Sequence, residues 1–351
     1  MLFRSKGSNG VAIGAELSED GQGMLFANPH LHWQGFDFRM YGMHHIIPGE
    51  YNMLGANQAQ RANVGFGTNG RVAWTNTVSV AMDYTFYRLE LVPGNHFAYR
   101  FDGRERAIEP VHVTIKVRDT DGSINNHRHT FYRSHHGWLI AGQLPWTKQH
   151  VYAIRVADEG VRGFQGGALA FASANTVRDL KAANSRYQHT SGVNTIAADA
   201  GGEVLYGDLG PVVNLSDAQL TRCRIQGQIM RGDTSECEWN VVADAAAPGL
   251  LGASEQPYLF RRDYVTNSND SYWLANPAVP LSGFPEVMGD THTERRMRTR
   301  SGLRMIAARQ AGRDGLPGKQ FSLDTLVERM LSNENLAGDR KSTRLNSSHQ
   351  I

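Results

Sequence analysis

Over the first half of the chain, apolar and polar positions alternate at short period. Residues 86–91, 111–117 and 129–133 are brief apolar or alternating runs, and the turn-forming stretches PGN, DGR and DTDG separate them. That punctuation predicts antiparallel hairpins. Between 161 and 187 the pattern becomes helical, with Val177, Leu180, Ala183 and Tyr187 on one face behind Asn175 or Thr176, either of which can cap a helix. VNTIAAD, the turn AGG and EVLYGD then predict another hairpin. After a Gly-, Pro- and Asp-rich connection, 291–310 predicts an Arg-rich helix and 322–331 a second one. Strands followed by helices predict a layered α+β domain rather than a βαβ array.

The start of the chain is a hairpin of its own. Residues 10–17 form a strand, SEDGQG a turn and 24–28 the returning strand. A turn centred near Glu19 sets Ser8 opposite His30, with Gly7 directly before the serine. A serine and a histidine at one hairpin mouth suit nucleophilic chemistry.

Composition narrows the function classes. The chain has 351 residues, enough for one large domain or two ordinary ones. Its 36 Lys and Arg balance 34 Asp and Glu, so no overall field favours nucleic acid or an acidic membrane, and neither is an expected partner. No apolar run approaches the roughly 18 residues of a membrane span, and the opening residues lack a secretory-signal pattern. Cys223 and Cys237 are too far apart for CxxC redox chemistry and lack further zinc ligands, which leaves a disulfide or two free thiols. Histidines recur as His30 with His32, His44 with His45, His127 with His129, and His135 with His136. No HExxH is present and adjacent histidines on a strand point to opposite faces, so no metal site is expected. GRDGLPGKQ lacks the spacing of a phosphate loop, and DTDGSINN lacks the glutamate of a calcium loop and reads as a hairpin turn. Residues 339–351, DRKSTRLNSSHQI, are unpatterned and resemble one reading frame of a sequencing-adapter oligonucleotide, so they are expected to be an artefact, with the natural chain continuing past Gly338.

Several motifs occur in one order: GSN at Ser8, MLFANPHLHW, the IPG of 47–49, VAWTNTV at 72–78, VNTIAADAGGEVLYGD, and RRDYVTNSNDSYW at 261–273. Together, from about Gly7 to Ile306, they resemble the penicillin acylase family of N-terminal nucleophile hydrolases, most closely its acyl-homoserine-lactone and aculeacin acylase branch. The resemblance implies an αββα four-layer sandwich with two antiparallel sheets. It also implies a precursor that cleaves itself between Gly7 and Ser8. Residues 1–7 would then be a propeptide remnant and 8–338 a large catalytic subunit, incomplete at its end. The partner would be a smaller subunit from the same precursor, and the location periplasmic or secreted. Export would make Cys223 and Cys237 a disulfide closing a loop of about 15 residues.

The implied chemistry follows from one residue. A free α-amino group has a pKa of roughly 7.7 to 8.0, so about a tenth is unprotonated at neutral pH, and Ser8 would supply both nucleophile and base. By the same resemblance His30 orients the amine, the Val78 backbone N–H and the Asn269 side chain hold the oxyanion, and Arg300 of the RTR run stands near the site. No cofactor is implied. The reaction is hydrolysis of an amide in an acylated small molecule. Acyl-homoserine lactones are the first choice, lipopeptides and β-lactams the alternatives, and a non-catalytic acyl-binding relative the rival class. His30 replaces the glutamine of penicillin G acylases, which favours the fatty-acyl branch. Those enzymes also hold calcium through aspartates after VAWTNTV; here only Asp83 is acidic, so no calcium is expected there.

Overall fold

The computed structural model describes residues 7–31, 39–59, 61–142, 144–332, 334 and 336. The expectations for 1–6, His32 and 339–351 lie outside them. The chain opens with β1 (Gly7–Ile13), β2 (Met24–His30), β3 (Met40–Ile47), β4 (Tyr51–Gln58), β5 (Phe66–Thr68) and β6 (Val72–Val78). Next come β7 (Tyr84–Val92), β8 (Asn95–Phe101), β9 (Arg104–Ala107), β10 (Glu109–Arg118), β11 (Ile124–Ser134), β12 (Gly137–Ile140) and β13 (His150–Val156). Helices α1 (Phe164–Ala172) and α2 (Val177–Tyr187) precede β14 (Val193–Asp199), β15 (Val204–Gly207), α3 (Asp217–Cys223), β16 (Arg224–Gln226) and β17 (Ile229–Arg231). The order ends with β18 (Tyr258–Arg261), β19 (Tyr264–Asn267), α4 (Met297–Gln310) and α5 (Leu323–Leu331).

These strands form a three-stranded sheet, β19-β1-β2, a seven-stranded sheet, β18-β15-β14-β6-β5-β4-β3, and a nine-stranded sheet built around β7. The helical run 161–187 is two helices, because Thr176 accepts from the Asp179 N–H while Asp179 bonds back to the cap, and this capping box starts a new helix. The Arg-rich helix starts at Met297 rather than 291.

Packing sets the layers around β1. Gly10 has no Cβ, and a methyl added there would stand 3.2 Å from both Ile196 and Thr75, so the three-stranded sheet lies closely on the seven-stranded one. On the other side of β1, Ile13 and Tyr264 pack with Ile306, Phe321 and Leu326 of the α4–α5 region. On the far face of the seven-stranded sheet, Trp74 meets Phe171 edge to face at 5.5 Å, and Val177, Leu180 and Leu205 are fully buried beside them. Burying each such side chain contributes on the order of 1.5 to 3 kcal/mol.

Three sequence expectations change here. First, the opening hairpin is shifted by one residue: Gly7 is opposite His30 and Ser8 is opposite Pro29. The connection is not a tight turn, since Leu17 and Ser18 both donate to the Gly14 carbonyl and Gly14 itself donates to Asp263, and this asymmetric loop sets the register. Second, His135 and His136 are in the turn between β11 and β12, so strand alternation does not separate them; their rings are 3.8 Å apart. Third, Asp83 has acidic company from distant sequence. Burial, and then Asp158, raise its pKa, and Asp83 in turn acts on Asp208, whose fully buried carboxyl is pushed up to about 7, chiefly by burial. The expected disulfide is present: Cys223 and Cys237 are joined, with Cα atoms 5.5 Å apart.

Candidate active site

Ser8 lies in β1 with 4% of its surface exposed. Residues two apart on a strand share a face, so Ser8 shares the face of Gly10, toward the seven-stranded sheet. Asn9 and Asn28 are directly opposite each other and share the other face with His30. His30 is therefore not across from the serine side chain; its ring lies beside Gly7. A methyl added to Gly7 would stand 3.4 Å from His30 Nδ1, 3.4 Å from Asn269 Oδ1 and 3.3 Å from Arg298 Nη2. The bond between Gly7 and Ser8 is thus enclosed by an imidazole, an amide and a guanidinium.

Asn269 links the pieces. Its Oδ1 accepts from the Ser8 backbone N–H at 2.7 Å and from Arg298 Nη2 at 2.7 Å, and its Nδ2 donates to the Val78 carbonyl at 3.0 Å. Asn269 has φ +68°, a left-handed conformation that asparagine tolerates better than most residues. Its N–H donates to Asn267 Oδ1, which also receives the Thr77 hydroxyl at 2.7 Å. Asn194 Nδ2 donates to Thr77 Oγ1, and Tyr206 donates its hydroxyl to Asn194 Oδ1 at 2.7 Å. Ser8, Thr77, Asn194, Tyr206, Asn267 and Asn269 are buried, where each unmade hydrogen bond costs about 1 to 3 kcal/mol, so the network fixes the Asn269 bend.

Val78 ends β6. Ser79 N–H bonds Gly192 O in the ladder, so Val78, one residue earlier and opposite Val193, turns its N–H and C=O away from β14. Its carbonyl meets Asn269, and its N–H faces the same side.

The arginine of the site is Arg298. Its Nη1 donates to the Ser8 carbonyl at 2.8 Å and to Asn9 Oδ1 at 2.7 Å. Arg300 instead pairs with the exposed Glu294 at 2.6 Å. Two residues on a helix are about 200° apart, so Arg298 and Arg300 occupy opposite faces and only one can reach β1. His30 Nε2 bonds Asn28 Oδ1, which as an acceptor keeps the ring proton on Nε2 and leaves the Nδ1 lone pair beside Gly7. Burial, and then the Arg298 charge, lower the His30 pKa below its ordinary value, so the ring is neutral at neutral pH.

The sequence reading missed Arg298, Asn267, Asn194, Thr77 and Tyr206. Arg298 was one register choice away within MRTR, and Asn267 is the first asparagine of NSN. Nothing local marks the other three. A cavity of about 350 Å³, bordered by Asn9, Arg298, Phe26 and Ile306, adjoins the site.

Comparison with known proteins identifies the family. The penicillin amidase family profile matches residues 1–350. Aculeacin-A acylase of Actinoplanes utahensis is 41% identical over 339 residues, covering 93% of this chain and 42% of that protein. Acyl-homoserine lactone acylase PvdQ of Pseudomonas fluorescens is 36% identical over 305 residues, covering 85% of this chain and 39% of that protein. The chain therefore spans about two fifths of the length of these curated relatives. A thermostable penicillin G acylase from Alcaligenes faecalis has the same fold, with a TM-score of 0.64 at 19% identity over 92% of this chain and 51% of that one. The chain belongs to the penicillin amidase family.

Proposed function

We propose that this protein is an amidohydrolase that removes the acyl chain from N-acyl-homoserine lactones, and so quenches their signal, using Ser8 as an N-terminal nucleophile. The observation that carries the reading is the 2.7 Å bond from Ser8 N–H to Asn269 Oδ1, with Gly7 enclosed by His30, Asn269 and Arg298. The layer contacts support an αββα sandwich. The share of the relatives that the chain spans supports a smaller subunit from the same precursor, and the family supports a periplasmic or secreted location.

In maturation, Ser8 Oγ attacks the Gly7 carbonyl carbon. The C–N bond breaks, the Ser8 nitrogen leaves as an amine with the hydroxyl proton, and water hydrolyses the resulting ester. In turnover, Oγ attacks the substrate amide while its proton passes to the α-amine, directly or through a water. Asn269 Nδ2 keeps one hydrogen beyond its bond to Val78 O, and with the Val78 N–H it holds the oxyanion, each donor being worth on the order of 3 kcal/mol. Collapse expels the head-group amine, which takes the proton from the α-ammonium, and water then releases the acyl group. His30 Nδ1 accepts from the α-amine and orients it. Arg298 anchors the Ser8 carbonyl.

The 41% identity to a protein named aculeacin-A acylase favours a lipopeptide as the second substrate class, ahead of β-lactams. Amine release by the full-length protein from lactones of several chain lengths, a fatty-acyl lipopeptide and penicillin G decides between them. Release from the lactones at the highest kcat/KM is the expected result. Binding of acyl ligands without release of any amine would leave a non-catalytic relative.

A further inference from the structure

Away from Ser8, His135 and His136 in the β11–β12 turn meet Glu238, the residue after the disulfide cysteine Cys237. One ligand atom from each of the three lies within 4.8 Å of the others, and His135 Nε2 is 3.6 Å from Glu238 Oε1. Each ring has its other nitrogen on oxygen: His135 Nδ1 pairs with the Tyr99 hydroxyl at 2.6 Å, and His136 Nε2 with the Gly232 carbonyl at 3.2 Å. This is the outer-shell pattern that fixes the tautomer and aims of metal-ligating histidines. His136 is 1% exposed, and its Nδ1 is buried without a hydrogen-bond partner. A bare buried lone pair is costly unless something accepts it. Stacking of His136 on Tyr87 at 3.9 Å and of His135 on Tyr99 keeps both rings in place.

We propose that His135, His136 and Glu238 form a site for a zinc-class divalent transition-metal ion, which clamps the β11–β12 turn to the end of the Cys223–Cys237 loop. Two imidazoles and one carboxylate are a three-residue zinc set that leaves the fourth position to water, and the ligand atoms need to close only to about 3.4 Å for tetrahedral bonds. A single carboxylate beside two nitrogens disfavours calcium and magnesium, which take oxygen ligands. The nearby Arg106 and Arg155 oppose a cation, but each is engaged by an aromatic ring, over Phe101 at 5.0 Å and over Trp239 at 4.1 Å. The His135 side chain is 17% and the Glu238 side chain 36% exposed, which gives the ion a way in. The site shares no residue with the one around Ser8, and its role is structural.

The test is metal content. Tag-free full-length protein is stripped with chelator, equilibrated with micromolar zinc, freed of unbound ion and assayed by mass spectrometry for metal. About one zinc per chain is expected. Glu238→Gln, at the surface, and His136→Gln should each lose it to background, and His129→Gln on the exposed part of the same hairpin should keep it. Cobalt-loaded wild type should show tetrahedral d–d absorption that Glu238→Gln lacks. No zinc in the wild type, or equal zinc in wild type and Glu238→Gln, overturns the proposal.

Discussion

Asn269 and Ser8, 261 residues apart in sequence, are joined by a 2.7 Å hydrogen bond from the Ser8 backbone N–H to the Asn269 side-chain oxygen. The amide that holds the Ser8 backbone also reaches Val78 through its other end. Removing Asn269 therefore disturbs position and charge stabilisation together. Asn269→Ala in the full precursor should still be cut at Ser8 but hydrolyse substrate about 100-fold or more slowly, because an oxyanion donor is lost. Steady-state kinetics of the processed variant check this, and an unchanged kcat would remove Asn269 from the mechanism.

Ser8 has two successive tasks in the proposed mechanism, and substitution separates them. Ser8→Ala should leave an uncut, inactive chain. Ser8→Cys keeps a nucleophile and should still be cut, but the larger and more acidic sulfur should slow amide turnover severely. Intact-mass analysis and amine release are the measurements. Normal processing of Ser8→Ala with wild-type rates would show that the serine is only a strand residue.

Arg298 and Arg300 give a matched pair. Arg298→Ala removes the contacts to the Ser8 carbonyl, Asn9 and Asn269, and should cost 10-fold or more in kcat/KM. Arg300→Ala breaks a pair with a largely exposed glutamate and should change stability by less than about 1 kcal/mol and activity hardly at all. Equal losses in the two variants would contradict the helix facing described above.

Asp208 predicts a pH dependence. Its carboxyl is raised from 3.8 to about 7 in the folded state, so the native protein binds the proton more tightly than the unfolded chain does. That contribution is complete below about pH 4, falls as pH rises, and is gone above about 7. Asp208→Asn should raise Tm at about pH 8 and flatten Tm between about pH 5 and 8. Thermal denaturation across that range is the check, and a lower Tm at pH 8 would count against a strained carboxylate.

The disulfide is the last of these. Reduction, or Cys223→Ser with Cys237→Ser, should lower stability by about 3 kcal/mol in the chain-entropy model, seen as a shift in the urea midpoint. Two reactive thiols in unreduced protein would mean that the bond does not form.

The strands and helices around the site were legible because their signals are local. The turn runs PGN and DTDG and the cap at Thr176 each act within a few residues. The motifs also picked out Ser8, His30, Val78 and Asn269, which the fold brings to one end of β1. What was not legible depends on tertiary contact. The Gly14 loop sets the hairpin register through Asp263, 249 positions along the chain. The facing of α4 chooses Arg298 over Arg300 only once Phe26 and Val11 have taken up its apolar side. Asn194 and Tyr206 look like ordinary hairpin residues until β14 and β15 are laid beside Asn267.

The pairing of β1 on the far side of Ser8 from Gly7 has a mechanical consequence. Among the described residues seven pairs join β1 to β2, of which a cut between Gly7 and Ser8 would remove the first, and the four that join β1 to β19 begin at Gly10. A strand cut in its middle would lose its anchorage and its end would drift into solvent. Here the end that begins at Ser8 stays moored to β2, so a newly made amine would arise already aimed at its partners.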